Sequence, residues 1–595
     1  MKKQYVTLNL ENINRVPVLQ HRTFHRKSLW RSWRQLSRLQ KNLLVTLSCS
    51  IIFVIFYWVI FNSQRRLDDV KSDKHINEPD ETGQKVQADV DETFQEVPEI
   101  DSKVVVDKLF VEESLNEKPI QIDETHKARP FIPILKSPET ITVRQRAVIN
   151  AVKHAWTGYK KYAWGHDHLR PISLRYQDWF HLGMTIVDSL DTLYIMNLTK
   201  EFAEARGWVE NSFTFDHYND DVNLFEVTIR ILGGLLSAYH FSNDGLFLEK
   251  AADLGERLLP CFDKSPTAIP FSDVNLVSHT ARVPRWSSDS SIAEVSTLQL
   301  EFRDLSRCTR EDKFEKAAFA VSEHIHKLRK PDGLVPIFIN PNTGNFNFDS
   351  EIKLGARGDS YYEYLLKQWI QTGKTVDFLK EDYIEAIDGI MRTLTKTTPK
   401  RKLTFIGELK SKSRTFSPKM DHLTCYLPGT LALGVYNGMP NKHMTFAEQL
   451  METCYYMYKD QPTGLAPEIV YFNYELDKGG VDMYVQSQDT HNLLRPEFIE
   501  SLWAMYSITG NKTYQEWGWE IFQAFEKYTK VANGYTCINN VLDPENTKPR
   551  DFMESYFMSE TLKYLYLLFS PNRRLIDIDK LVMNSEAHPL PIYSY

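Results

Sequence analysis

The stretch FEVTIRILGGLLSAYHF, residues 225–241, decides how the rest of the chain is read. Phe225, Ile229, Leu232 and Leu236 recur at three- and four-residue spacing, which is the period of an α-helix. The same spacing returns in 292–305, 360–372, 498–509 and 555–569, and strand-like alternation is rare between them. Residues 137–595 are therefore predicted to be all-α. Several of these helices open on an acid or another polar group: Asp188, Glu226, Glu294, Asp359, His422, Glu497 and Glu554. Most of the intervals match a two-helix hairpin with its loops. Seven openings predict a ring of seven hairpins whose inner helices present their first-turn polar groups to one central cavity. Carboxylates at helix N-termini also suit the macrodipole, so capping alone accounts for any single acid. Glu226, Glu294, Asp359, Glu497 and Glu554, five acids that share one placement, point to a site.

Working outward, Ser137-Pro138-Glu139 reads as the start of this body: an N-cap, a proline at the first helical position and an early acid. Residues 62–136 are rich in Asp, Glu and Lys and poor in aromatics, as in a flexible acidic stem. Residues 43–61, LLVTLSCSIIFVIFYWVIF, carry no charge. As a helix they reach about 28 Å, close to the hydrocarbon thickness of a bilayer. Residues 1–42 hold ten Lys or Arg against the single acid Glu11. This charge asymmetry predicts a type II signal-anchor, with a basic cytosolic tail and a lumenal body. No small-x-small site follows Phe61, which argues against a cleaved signal peptide. The sequons at Asn197 and Asn511 fit a lumenal address. Of the six cysteines, Cys49 lies in the predicted span, leaving an odd number in the lumen.

Composition sets further limits. The chain has 595 residues, 42% hydrophobic and 25% charged, with a net charge of −7. The body has no basic stripe, so a nucleic-acid partner is not expected. A Gly-rich phosphate loop and a G-x-S-x-G elbow are also missing from the sequence. Several carboxylates converging in one cleft push each other's pKa values apart, supplying the acid and base that glycosidic hydrolysis needs. Tyr361, Tyr362, Trp286, Phe498, Trp503 and Tyr556 offer faces for sugar rings, with core packing as the competing role of each. Arg230, Arg285, Arg357 and Arg495 are candidates for binding hydroxyls or holding carboxylates ionised. His166-Asp167-His168 has metal-like spacing but too few ligands. His422-x-x-Cys425 with Cys454 suits either a metal or, in an oxidising lumen, a disulfide. The polar segment NSEAHP (584–589) offers hard oxygen ligands suited to calcium.

Seven strings carry a resemblance: FEVTIR (225–230), PRW (284–286), GARGDSYYEY (355–364), HLTCYLPG (422–429), LRPE (494–497), MES (553–555) and EAHP (586–589). In these, in this order, the body resembles the class I α-mannosidases of glycoside hydrolase family 47, from about residue 140 onward. The resemblance implies an (α/α)7 barrel and calcium-dependent, inverting removal of terminal α-1,2-linked mannose from high-mannose N-glycans on glycoproteins. It implies Glu226 as proton donor, Asp359 as a second catalytic carboxylate and Glu497 as general base. Arg230, Glu294, Arg357, Glu468, Arg495, Glu500 and Glu554 are then expected to bind sugar, and Glu586 a calcium-bound water. Cys425 and Cys454 fall on the family's disulfide pair. Ser585 stands where the family usually has a calcium-ligating threonine; serine keeps both oxygens and loses only a methyl. Arg357 in GARGD is similar to the endoplasmic reticulum type, in which a large charged side chain restricts the glycan branch that fits. The expected location is the endoplasmic reticulum membrane or early Golgi. The oligomeric state is not legible. Two rivals remain: a non-catalytic mannose-glycan receptor of the same family, and a helical scaffold.

Overall fold

The computed structural model describes residues 141–475 and 480–593, all within one compact unit spanning Leu115–Tyr595. The basic tail, the predicted span 43–61, the stem and the expected start at Ser137 lie outside the described residues. Among the described residues no helix is long and apolar enough to cross a membrane. The first described helix, Val143–Tyr162, starts from Thr142. Its hydroxyl accepts from the Gln145 backbone N–H while the Gln145 side chain accepts from Thr142 N, a reciprocal capping box.

From there the helices alternate between two layers. The outer ones are amphipathic. Gly245–Leu258 buries Phe247, Leu248, Ala251, Leu254, Gly255 and Leu258 and exposes its other face, the pattern of a helix covered on one side only. The inner ones are buried nearly all round, as in Asp359–Gln371, where every residue after Asp359 is buried. The inner layer comprises the rod Met184–Asp188 with Leu190–Ile195, the rod that begins with Leu224–Val227 and ends with Gly233–Ser242, and Ile292–Ser296 continued by Gln299–Thr309. It continues through Asp359–Gln371, His422–Tyr426 with Leu427–Tyr436, Glu497–Thr509, and Phe557–Thr561 with Leu562–Leu568. Each packs on the next, and Phe557–Thr561 packs back on Met184–Asp188 and Leu190–Ile195. The ring is closed, and the outer helix Val143–Tyr162 covers Leu562–Leu568.

Two features escaped the sequence reading. The loops carry short antiparallel ribbons of two or three strands, such as Lys419–Asp421 against Ile469–Phe472 against Met483–Tyr484. Strands of two to four residues are too short to display a period. Second, two inner rods contain a π turn, Thr228–Leu232 and Phe557–Thr561. Such wide turns re-aim side chains and cluster at functional sites; here they carry Arg230 and Glu560.

The chain ends in a hairpin, Leu581–Met583 paired with Pro589–Pro591, which packs on three inner helices. Its turn, residues 584–588, needs Ala587 at φ 62°. The loop ahead of Asp359 is tight as well. A Cβ added at Gly355 would lie 2.2 Å from Asp421 Oδ2 and 2.7 Å from Asp421 Cβ, and Asp421 is itself tied to Lys419 at 2.7 Å. Gly355→Ala is expected to lower stability by about 1–3 kcal/mol through overpacking and to reduce activity by displacing Asp359. Thermal unfolding and steady-state kinetics on the purified variant check this.

Candidate active site

The N-terminal ends of the inner helices surround a cavity of about 350 Å³, within the range of small-ligand clefts. The acids are aimed there by simple means. Asn223 accepts from the Glu226 backbone N–H at 3.0 Å, and Ser291 from that of Glu294 at 3.2 Å. These neighbours are the caps, so both carboxylates are free to face the cavity, and capping does not explain them. Asp359 and Glu497 are the first residues of their helices.

Of the residues singled out in the sequence, Glu226, Arg230, Glu294, Arg357, Asp359, Arg495, Glu497, Glu500, Ser585 and Glu586 all line the cavity. Glu468 joins them through Arg495, whose Nε and Nη2 donate to its two oxygens at 2.6–2.9 Å. Glu554 is half-buried nearby, with its carboxyl pushed up to about 7 by desolvation against the pull of Arg230 and Arg495. Tyr556 reaches the cavity, with its ring 5.6 Å from the Arg230 guanidinium. Tyr361, Tyr362 and Phe498 belong to the core. Trp503 is buried and outside the cavity lining. Arg285 is exposed and pairs with Asp220. His166 binds Asp178 at 2.8 Å, while His168 is buried and its pKa is lowered by burial to about 4. Asn197 and Asn511 are both exposed. Cys425 is bonded to Cys454, which fastens the His422 turn to the outer helix Lys442–Lys459. Closing a loop of 29 residues is worth about 3–4 kcal/mol in the chain-entropy account. Cys261, Cys308 and Cys537 are unpaired thiols.

The electrostatics differ sharply from one acid to the next. Burial works against charge on Glu497, but His422 Nδ1 donates to Glu497 Oε2 at 2.9 Å and Arg495 lies 3.7 Å from Oε1. Together they hold its carboxyl below the usual range. Asp359 has no such cation in contact. Burial, helped by repulsion from Glu363 and Glu497, pushes it up to about 7. One carboxyl is thus kept ionised and the other takes up a proton near neutrality, the division of labour that acid–base hydrolysis requires. Arg230 ties Glu226 at 3.0 Å to Glu586, with Ser555 at 3.2 Å.

Three participants went unassigned in the sequence. Glu363 and Lys367 follow Asp359 at successive four-residue steps, and that spacing puts them on one stripe of the helix. Lys367 is buried, bonded to Glu363 at 2.5 Å and Glu500 at 3.3 Å. Glu560 lines the cavity from the π turn at Phe557–Thr561, where no helical period points to it.

The hairpin turn closes the cavity floor. Ser585 Oγ lies 3.3 Å from Glu363 Oε2, and Glu586 and Glu560 face the same space. Burial, with repulsion among these acids, pushes Glu500 to about 7 and Glu586 to about 8. An all-oxygen donor set overloaded with carboxylates suits a hard divalent cation. The turn is pinned from below by wholly buried ions. His588 Nδ1 meets Asp191 Oδ2 at 2.9 Å and Nε2 meets Asp188 Oδ1 at 3.1 Å. Lys563 bonds Asp191 at 2.8 Å and the Ala587 carbonyl at 2.7 Å. Burial opposes the imidazolium, yet the two carboxylates raise the His588 pKa above its ordinary value.

The sequence of residues 151–592 matches glycosyl hydrolase family 47, and the chain belongs to that family. More particularly, it is 46% identical over 638 residues to the endoplasmic reticulum mannosyl-oligosaccharide 1,2-α-mannosidase of Homo sapiens, covering 96% of this chain and 91% of that protein. The protein of the same name from Rattus norvegicus is 55% identical over 463 residues, covering 78% and 70%. The solved α-1,2-mannosidase from Trichoderma reesei superposes with a TM-score of 0.70 at 27% identity, covering 76% of this chain and 99% of that one.

Replacing His588 by alanine leaves Asp188 and Asp191 buried without their shared partner. Breaking a buried pair in this way is expected to cost about 3–5 kcal/mol, measured by urea unfolding. Because folding raises the His588 pKa, its contribution is complete below the unfolded value of about 6.5 and fades as pH rises through the folded value. The gap between wild type and His588→Ala is therefore expected to be widest at acid pH and to narrow on the alkaline side.

Proposed function

We propose that this chain is an α-1,2-mannosidase of the endoplasmic reticulum that removes terminal α-1,2-linked mannose from high-mannose N-glycans by inverting, calcium-dependent hydrolysis. The observation that carries the reading is the opposed protonation of Glu497 and Asp359 across one carboxylate-lined cavity. Glu497, ionised by His422 and Arg495, takes a proton from the attacking water. Inversion places that water between the base and the anomeric carbon. Glu226 faces the cavity beside Arg230 and delivers the proton to the leaving oxygen. Asp359, neutral below about pH 7, is the second catalytic carboxylate and keeps a proton on the acid side. Arg230, Glu294, Arg357, Glu468, Arg495, Glu500 and Glu554 bind the sugar or the waters around it.

Ser585, with Glu586 through water, holds calcium at the floor; the all-oxygen donors and the excess of buried acids support that ion. When bound, calcium supplies contacts to the sugar hydroxyls. Arg357 limits branch choice. Its guanidinium lies 4.1 Å over the Trp286 ring, and its backbone is at φ 76°, a conformation that a non-glycine residue adopts only where its surroundings enforce it. The ring of paired helices is read as an (α/α)7 barrel, anchored by the signal-anchor at 43–61 as a single-pass type II protein with glycans at Asn197 and Asn511.

Digestion of a high-mannose N-glycan by the purified protein is expected to release mannose, to stop on chelation and to resume with calcium. Glu497→Gln is expected to lower kcat by about 10²–10⁴-fold with unfolding unchanged. Glycan binding without any release by the wild type would overturn the reading in favour of a receptor. The pH profile of kcat/KM gives an independent check. Asp359 must keep its proton, so the rate is expected to fall above about pH 7, where it titrates. The base must be ionised, so the acid limb is expected below the ordinary glutamate value of 4.5.

A further inference from the structure

A second group of ligating side chains sits apart from the carboxylate cavity. His240 lies fourteen residues beyond Glu226, near the far end of the same inner rod. Cys308 lies fourteen beyond Glu294 on the neighbouring one, with Asp304 one turn before it. At 1.5 Å per residue this is about 20 Å from the acids. His240 Nε2 is 2.8 and 3.0 Å from the two Asp304 oxygens. Cys308 Sγ is 3.8 Å from His240 Nε2 and 4.0 Å from Asp304 Oδ1. The Tyr593 hydroxyl donates to Asp304. Asp304 is fully buried and His240 nearly so.

One nitrogen, one oxygen and one sulfur donor on two packed helices form a different chemical set from the all-oxygen floor. For bonds of about 2.0 Å to N and O and 2.3 Å to S, a tetrahedral ion separates its sulfur from each other donor by about 3.6 Å. The two sulfur distances here are within half an ångström of that. The nitrogen and oxygen are closer together, as befits a hydrogen bond, and a small separation of the His240 and Asp304 side chains opens the centre. Charge also fits: a carboxylate, a thiolate and a neutral imidazole balance a divalent cation, which removes the cost of burying an unbalanced charge.

We propose that His240, Asp304 and Cys308 form a structural site for a borderline-soft divalent cation of the zinc class, with the Tyr593 hydroxyl beside the fourth position. Binding releases the Cys308 thiol proton to solvent. The ion then ties the two inner helices together and, through Tyr593, holds the end of the chain against them. With a single carboxylate, the site discriminates against calcium.

The test uses the full protein, stripped with a chelator, returned to calcium and titrated with cobalt(II) alone. One equivalent is expected to bind with a near-ultraviolet sulfur-to-cobalt charge-transfer band and the visible bands of a tetrahedral ion. Zinc is expected to displace the cobalt, and excess calcium is not. Cys308→Ser is expected to lose the ultraviolet band while keeping mannose release in calcium. His240→Gln is expected to weaken cobalt binding at least tenfold. In the wild type, where no substitution threatens folding, zinc is expected to shield Cys308 from alkylation, read by peptide mass spectrometry. The proposal is overturned if no sulfur band develops, if the band survives in Cys308→Ser, or if zinc leaves Cys308 alkylation unchanged.

Discussion

Like charges crowded around one largely buried cavity are the constraint on which this structure turns. Glu226, Glu294, Asp359, Glu363, Glu497, Glu500, Glu560 and Glu586 all border one cavity. So many carboxylates cannot all ionise at short range in a low-dielectric space. The chain meets this by uneven compensation. Arg495 and His422 serve Glu497, Arg230 serves Glu226 and Glu586, and Lys367 serves Glu363 and Glu500. Asp359 has none of these cations in contact and takes up a proton near neutrality. Chemical roles therefore follow from the distribution of a few cations rather than from differences between one carboxyl and another.

Placing those cations demands a rigid frame, and the frame is built from helix starts and one hairpin. Inner helices begin at the cavity, so their first-turn acids converge without long loops. The hairpin inserts a further acid and a serine from the opposite direction, and its turn would be costly to hold by backbone alone, with Ala587 at positive φ. The clamp of Asp188, Asp191, His588 and Lys563, each wholly buried, fixes it by ion pairs that water cannot screen. Asn584 adds to this, its Oδ1 accepting from the Glu586 and His588 backbone N–H groups at 2.9 and 2.8 Å. The site thus depends on residues outside its own lining.

Much of this was legible in the sequence, for identifiable reasons. A three-to-four period is a direct consequence of helix geometry, so the inner helices stood out, and the acids Glu226, Glu294, Asp359 and Glu497 at their openings marked the cavity, whereas Asp188, read as another opening, ends Met184–Asp188 and belongs to the buried clamp. Arg230, Arg495 and the acids Glu226, Asp359 and Glu497 were found because each lies at or near such an opening. Glu363 and Lys367 were equally accessible through their four-residue steps from Asp359, and were passed over only because the search stopped at first turns. Glu560 was not accessible: a π turn breaks the period that would have aimed it. Nor was the clamp, since His588 meets Asp191 and Asp188 across 397 and 400 residues of chain, and no local pattern records that meeting. The β ribbons were invisible because pairing partners lie in loops without periodicity.

The cavity arginines also divide by what holds them. Arg230 and Arg495 are each engaged by carboxylates at hydrogen-bonding distance, so their charge is largely committed to setting which acids stay ionised. Arg357 is held differently, over the faces of Trp286 at 4.1 Å and Phe338 at 5.4 Å, and makes no ion pair among the described residues. A cation resting on aromatic rings keeps its five N–H donors, in the plane of the guanidinium, largely available. Trp286 is itself more than half exposed, while Arg357 lines the cavity together with the acids. A neutral, hydroxyl-rich ligand offers nothing to compete with a carboxylate for Arg230 or Arg495, but it can meet Arg357 without displacing a partner. The least committed cation bordering the cavity is thus Arg357, and the most committed are Arg230 and Arg495.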